Sequence, residues 1–171
     1  MNLGTMFKKN NYITVGGKRE SRPEVPDGLL KQCNKCKAAI YTSEVIGNHY
    51  VCPKCKGYFR LPVNKRIEMI TEPESFEPWD ESVEICNPLR FKGYVEKVRE
   101  LQEKTGLEEA VITGSAFIGN NKVALAVCDG RFMMASMGHV VGEKITRVFE
   151  RATSEGLPVI VFACSGGARM Q

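Results

Sequence analysis

Cys33-Asn34-Lys35-Cys36 and, after a spacer of fifteen residues, Cys52-Pro53-Lys54-Cys55 bring four sulfurs toward one point. In each C-x-x-C pair a tight knuckle lets both thiolates reach one ion. The spacer suits a short hairpin that returns the second pair beside the first. Four thiolates in a tetrahedron favour Zn²⁺, and the spacing is that of a zinc ribbon. Pro53 pre-sets the turn of the second knuckle. Gly47-Asn48 marks a turn between apolar Ile40-Tyr41 and Tyr50-Val51. The competing readings are two disulfides or four unrelated cysteines. Two matched pairs at ribbon spacing argue for a single metal held by Cys33, Cys36, Cys52 and Cys55.

Outward from the tetrad, the composition is that of an ordinary globular protein. Of 171 residues, 43% are hydrophobic and 26% charged, enough for one modest core and a small module. The three cysteines left over, Cys86, Cys128 and Cys164, lie in or beside apolar runs and read as buried thiols of a reduced, cytoplasmic protein. The first nine residues hold no apolar signal-peptide core. The longest apolar runs are six residues, against about 20 for a membrane span, so no membrane association is expected. Charge divides unevenly. Residues 1–66 carry 13 Lys/Arg against 4 Asp/Glu, and residues 67–171 carry 11 against 16. A basic zinc module on an acidic body suits nucleic acid, a phosphate-bearing ligand or an acidic partner, and equally a plain solvated surface.

Along the chain, residues 1–28 read as a basic flexible arm and 29–62 as the ribbon, with strands at 29–32, 38–42, 48–51 and 57–61. Residues 63–109 form a helical connector. Asn64 is its first N-cap, ahead of a helix over 65–70, and a second helix spans 94–104 and stops at Thr105-Gly106. Pro73, Pro78 and Pro88 break the stretch between, and Trp79 reads as a packing anchor. From 110 the grammar changes to a hairpin, 110–118 and 122–128 around Gly119-Asn120-Asn121. A helix over about 140–154 follows, with Val141, Ile145, Val148, Phe149 and Ala152 as its apolar stripe. Residues 158–163 read as a strand buried on both faces. Ser165-Gly166-Gly167 is a sharp turn, and 168–171 open a further helix. A chain that stops one turn into a helix reads as a fragment. The class is α/β.

The glycine turn is the second place where chemistry is expected. A strand, two glycines and a helix start would aim free backbone N–H groups at one spot, fit for a phosphate or a thioester oxyanion. No Gly-Lys-Ser/Thr follows, so it is not a P-loop, and Cys164-Ser165-Gly166-Gly167 is not a G-x-S-x-G elbow. A tight turn without a ligand is the plain alternative. No Ser–His–Asp set or close carboxylate pair stands out. His49 and His139 read as structural or solvated, and Met133, Met134 and Met137 as packing residues.

The tetrad, Met137-Gly138-His139-Val140-Val141-Gly142-Glu143-Lys144-Ile145, and Ser165-Gly166-Gly167-Ala168-Arg169-Met170-Gln171 together resemble the carboxyltransferase β subunits of bacterial acetyl-CoA carboxylases. Phe76-Glu77-Pro78-Trp79-Asp80 lies where that family has a similar linker. The resemblance covers the chain beyond the arm. It implies the start of a crotonase-like ββα spiral behind the ribbon. It implies acetyl-CoA as substrate and biotin on a separate biotin carboxyl carrier protein, charged by a biotin carboxylase. It implies an α subunit in an α2β2 assembly and malonyl-CoA as the product, in fatty acid biosynthesis. Gly166 and Gly167 match the family's oxyanion glycines, while Ser136 to Gly138 match the preceding loop. Met134-Ala135 stands where relatives often have glycines. The family runs on well past Gln171, so the chain alone is expected to be inactive.

Overall fold

A computed structural model describes residue 26 and residues 28–80 and 83–171. The expected arm thus falls outside the described residues, apart from Pro26 and Gly28. Contacts divide the chain into two compact units, parted between Gly57 and Tyr58.

The first unit is built on two near-identical knuckles. Cys33 N–H donates to the Ala38 carbonyl and Lys37 N–H back to the Cys33 carbonyl. Cys52 N–H and Gly57, then Lys56 N–H and Cys52, repeat the pattern. Lys37 and Lys56 close their turns in the left-handed region at φ 60° and 59°. A short hairpin, β1 (Leu30–Gln32) against β2 (Ala39–Tyr41), carries the first knuckle. The spacer then departs from the expected strand. It winds into α1 (Thr42–Gly47), which buries Val45 completely beside Ile40 and Tyr50. His49 and Tyr50 bring the chain back through positive φ. Residues 48–51 and 57–61 therefore hold only single bridges, at Val51 and Tyr58.

The second unit begins with α2 (Val63–Ile70). Its cap is not Asn64, which lies inside the helix. Val63 N–H, one of the first-turn donors, is taken by the carboxylate of Asp129, 66 residues on, at 2.9 Å. The proline-broken connector contains an unexpected strand, β3 (Glu77–Trp79), at the edge of a four-stranded sheet, where a proline costs no ladder bond to a further neighbour. Trp79 packs in the core as expected, with the Arg151 guanidinium 4.1 Å above its ring. Helix α3 (Tyr94–Thr105) ends at Gly106 in the left-handed conformation.

Strands β4 (Val111–Ile118) and β5 (Asn121–Cys128) form the expected hairpin, registered from Val111 with Cys128 to Ile118 with Asn121. Helix α4 (His139–Glu155) then crosses over, and β6 (Val159–Phe162) pairs parallel with β5. The sheet order is β3-β4-β5-β6, so the ββα grammar read from residue 110 onward is present. The strand buried on both faces is β5, where every residue from Val123 to Cys128 is buried. β6, at the sheet edge, is half-buried, with Val161 38% exposed. On α4 the buried stripe is Val140, Val141, Lys144, Val148 and Ala152, whereas Phe149 is half exposed. Cys128 is buried as expected, but Cys86 is only partly so and Cys164 is exposed past the end of β6. Among the described residues no helix is long and apolar enough to cross a membrane.

Candidate functional site

The four cysteine sulfurs lie within 4.8 Å of one another. Cys33 and Cys55 are 3.6 Å apart, and Cys36 and Cys52 are 3.8 Å apart. A tetrahedron with zinc–sulfur bonds of about 2.3 Å has edges of about 3.8 Å, so the cage has the size of a Zn²⁺ site. A disulfide would bring two sulfurs to about 2.05 Å, and neither close pair does so. The Cys36 backbone N–H, working against burial, brings the Cys33 thiol down to about 6. At Cys55 the Gly57 N–H favours the thiolate, but burial and the three neighbouring sulfurs outweigh it and push the group up to about 11. Sulfurs packed this closely can all ionise only around a cation. With four protein ligands the ion has no open position, so it would supply folding energy rather than Lewis-acid chemistry.

The glycine turn is held differently from the expectation. Residues 168–171 do not open a helix, because their backbone pairs with the 134–138 loop. Gly166 N–H donates to the Met134 carbonyl at 2.8 Å, Met137 N–H to the Gly167 carbonyl at 2.9 Å, and Arg169 N–H to the Met137 carbonyl at 2.9 Å. The result is a short parallel bridge between Met137 and Ala168. The turn therefore has no helix of its own following it. Gly167 takes φ +105°, which favours glycine, and its N–H meets only the Ser165 hydroxyl, at 3.0 Å. A Cβ on Gly166 would stand 3.1 Å from the Met134 carbonyl oxygen, so a side chain there would press the two segments apart. Both glycines are exposed.

Opposite the turn, Met133, Met134 and Ala135 all take positive φ, at 41°, 56° and 54°. Three successive non-glycine residues in that region store strain, of the kind found at ligand sites. Of the three methionines expected to pack, only Met133 does. Met134 is 67% exposed, Met137 46% and Met170 83%, giving the turn an apolar rim. His139, at the first turn of α4, lines a separate groove of about 690 Å³ with Asn87, Glu143 and Arg147, away from the glycines.

Glu109, Tyr94 and the side chain of Arg169 had no role in the sequence reading. Arg169 is buried against Glu109 in a two-pronged pair, at 2.7 and 2.8 Å, with further bonds to the Tyr94 hydroxyl and to Ser136. Burial alone would lower the Arg169 pKa, but the Glu109 carboxylate and Tyr94 outweigh it and raise it. The only sequence signal was an acidic residue at the mouth of an apolar run, and its partner lies 60 residues away.

Comparison with known proteins agrees with both parts of the chain. Residues 32–55 match the model of the acetyl-CoA carboxylase zinc finger domain, and residues 60–171 that of the carboxyl transferase domain. The acetyl-coenzyme A carboxylase carboxyl transferase subunit beta of Clostridium botulinum is 46% identical over 175 residues, 99% of this chain. The chain spans 61% of that relative's length. Among solved structures, transcarboxylase 12S with methylmalonyl-coenzyme A and methylmalonic acid bound superposes with a TM-score of 0.54 at 25% identity, over 66% of this chain and 20% of that one. A single-chain, multi-domain long-chain acyl-CoA carboxylase has a TM-score of 0.51 at 21% identity, over 63% and 11%, and bears on the fold alone. With its cage of four cysteines ahead of a ββα body of the crotonase-like carboxyltransferase kind, the chain belongs to the carboxyl transferase family.

Proposed function

We propose that the protein carrying this sequence is the β subunit of an acetyl-CoA carboxylase carboxyltransferase. It moves a carboxyl group from carboxybiotin to acetyl-CoA and so makes malonyl-CoA for fatty acid synthesis, in the cytoplasm. The observation that carries this reading is the 46% identity to the Clostridium botulinum subunit across both units of the chain. An α subunit in an α2β2 assembly, a biotin carboxyl carrier protein and a biotin carboxylase are the partners this implies. Carboxybiotin supplies the CO₂ and the base that accepts the α-proton of the thioester.

What this chain adds is stabilisation of the oxygen on which charge develops as the α-proton leaves. Gly166 and Gly167 form the oxyanion turn. The N–H of Gly166 is occupied by the backbone of Met134, so Gly166 serves the close approach of the two segments. The N–H of Gly167 is held by a hydroxyl rotor, Ser165, which a thioester oxygen can replace. One well-aimed donor of this sort is worth about 3–4 kcal/mol in the transition state. The enolate carbon then forms the new C–C bond to CO₂.

The experiment is a side-by-side assay of acetyl-CoA and a larger acyl-CoA, with the full subunit assembled with its α partner. Preferred transfer to acetyl-CoA supports the reading, and preference for propionyl-CoA or methylmalonyl-type substrates overturns the acetyl assignment. A second reading, binding of nucleic acid by the ribbon, has one observation in its favour: Lys35, Lys37, Lys54 and Lys56 are all exposed around the cysteine cage. Neutralising the four together would flatten the salt dependence of binding to a DNA or RNA probe. An unchanged slope removes that reading.

A further inference from the structure

We infer that Arg169 and Glu109 are positioning residues that set the separation between the 134–138 loop and the oxyanion turn. The inference rests on the carboxyltransferase reading above. A guanidinium has five N–H donors in a rigid plane, and here all five are used. Nε donates to Ser136 Oγ at 3.2 Å, Nη1 to Tyr94 Oη at 2.9 Å and Glu109 Oε2 at 2.8 Å, and Nη2 to Glu109 Oε1 at 2.7 Å and the Ser136 carbonyl at 2.9 Å. The acceptors come from the first residue of α3, from Glu109 two residues before β4, and from the loop itself. The Arg169 and Glu109 side chains are 2% and 4% exposed.

The loop needs such a tie. Its backbone contacts to the turn are few, and Met133, Met134 and Ala135 sit in the left-handed region, which persists only where the surroundings enforce it. Gly138 makes room for the fork, since a Cβ there would stand 3.0 Å from Nη1 and 3.1 Å from Cζ of Arg169. Arg169 lies two residues past Gly167, so any shift of its guanidinium is passed directly to the turn. With both side chains buried, neither Arg169 nor Glu109 is open to a ligand on the exposed glycines, so the pair acts through the backbone. A buried ion pair is weak evidence for stability, whereas a fully used planar fork fixes geometry. Misplacing a reacting group by about 1 Å can cost roughly 100-fold in rate.

The test uses the full subunit assembled with its α partner, in Arg169→Lys, Glu109→Gln and Tyr94→Phe forms. Lysine keeps the charge but has no planar fork. Arg169→Lys is expected to lower kcat by about 100-fold. KM for acetyl-CoA and the binding of CoA, which has no thioester carbonyl, stay near the parent values. Glu109→Gln moves the same way, and Tyr94→Phe, which removes one acceptor of five, has a smaller effect. In parallel, amide hydrogen exchange in segments 134–138 and 166–169 becomes faster, while the central strand β5 is unchanged. Should Arg169→Lys fail to assemble, Glu109→Gln carries both readings. A kcat near that of the parent with unchanged exchange, or equal losses in kcat, KM and CoA binding, would overturn the proposal. A parent assembly that transfers no carboxyl group counts against the carboxyltransferase reading instead, and the exchange measurement then decides the positioning claim alone.

Discussion

Asp129 shows how much of this molecule depends on single side chains with distant partners. Its buried carboxylate accepts from Val63 N–H at the start of α2 and from the backbone and guanidinium of Arg131, at 2.6–3.1 Å. Burial alone would raise its pKa, but these donors outweigh it and hold the group below the ordinary aspartate value. A depressed folded-state pKa means stability that is fully present above the unfolded value of about 3.9 and lost as pH falls below it. Asp129→Asn is therefore expected to destabilise the body by about 1.5–3 kcal/mol near neutral pH, the range for a hydrogen-bonded charge. Its midpoint in urea should converge on that of the parent as the medium is taken well below pH 4. A gap that stays constant down to strong acid would show that the charge is not what matters. Asn64, the cap expected from sequence, is a sound local candidate. It lost to a carboxylate 65 residues away, which no local pattern announces.

At the scale of elements, legibility followed length and period. The β4–β5 hairpin and α4 were readable because eight-residue strands around a turn and a 17-residue amphipathic helix leave strong periodic signals. The three-residue strand β3 was not, since Pro78 is a strand breaker anywhere but at an edge. Helix α1 was hidden because Gly47-Asn48 reads equally as a hairpin turn and as a helix stop. The helix expected at 168–171 failed because those residues pair with a loop 31 residues earlier, between Met137 and Ala168. Edge strand β3 leads to a test. Pro78 faces Gly114 across the β3–β4 ladder, and a Cβ on Gly114 would collide with the Glu77 carbonyl and press on the Phe76 ring at 2.7 Å. Gly114→Ala should lower stability by about 1–3 kcal/mol, read as a fall in Tm of several degrees. An unchanged Tm would mean that β3 is only loosely paired. The glycine turn itself was legible as a turn. That its donors meet Met134 and Ser165 rather than open space was not, because the loop facing it is fixed only in three dimensions.

For the molecule as a whole, the two units differ in what holds them. The second has a broad apolar core running from Val63 through Leu125 and Phe132 to Ala152. The first has little beyond Ile40, Val45, Tyr50 and the buried Cys33 and Cys52. A unit that small depends on its metal, which contributes about 10–16 kcal/mol in zinc modules of this size. One zinc per chain is expected on elemental analysis of protein purified without added metal. Strong chelator, or Cys33→Ser, should open the ribbon to protease between residues 29 and 57 while the body keeps its thermal transition. A ribbon that stays protease-resistant with its metal stripped would remove zinc from the account.

The central claim, carboxyl transfer assisted by the glycine turn, is tested most directly by the rate of malonyl-CoA formation. The full subunit and its Gly167→Val form, each assembled with the α subunit, are compared at saturating acetyl-CoA. Valine at φ +105° is strained, so it shifts the backbone that aims the Gly167 N–H. The account predicts malonyl-CoA from the parent and a loss of roughly 10²–10³ in rate for the variant, with zinc content and assembly intact. A variant within a few-fold of the parent would contradict it, as would a parent that makes no malonyl-CoA.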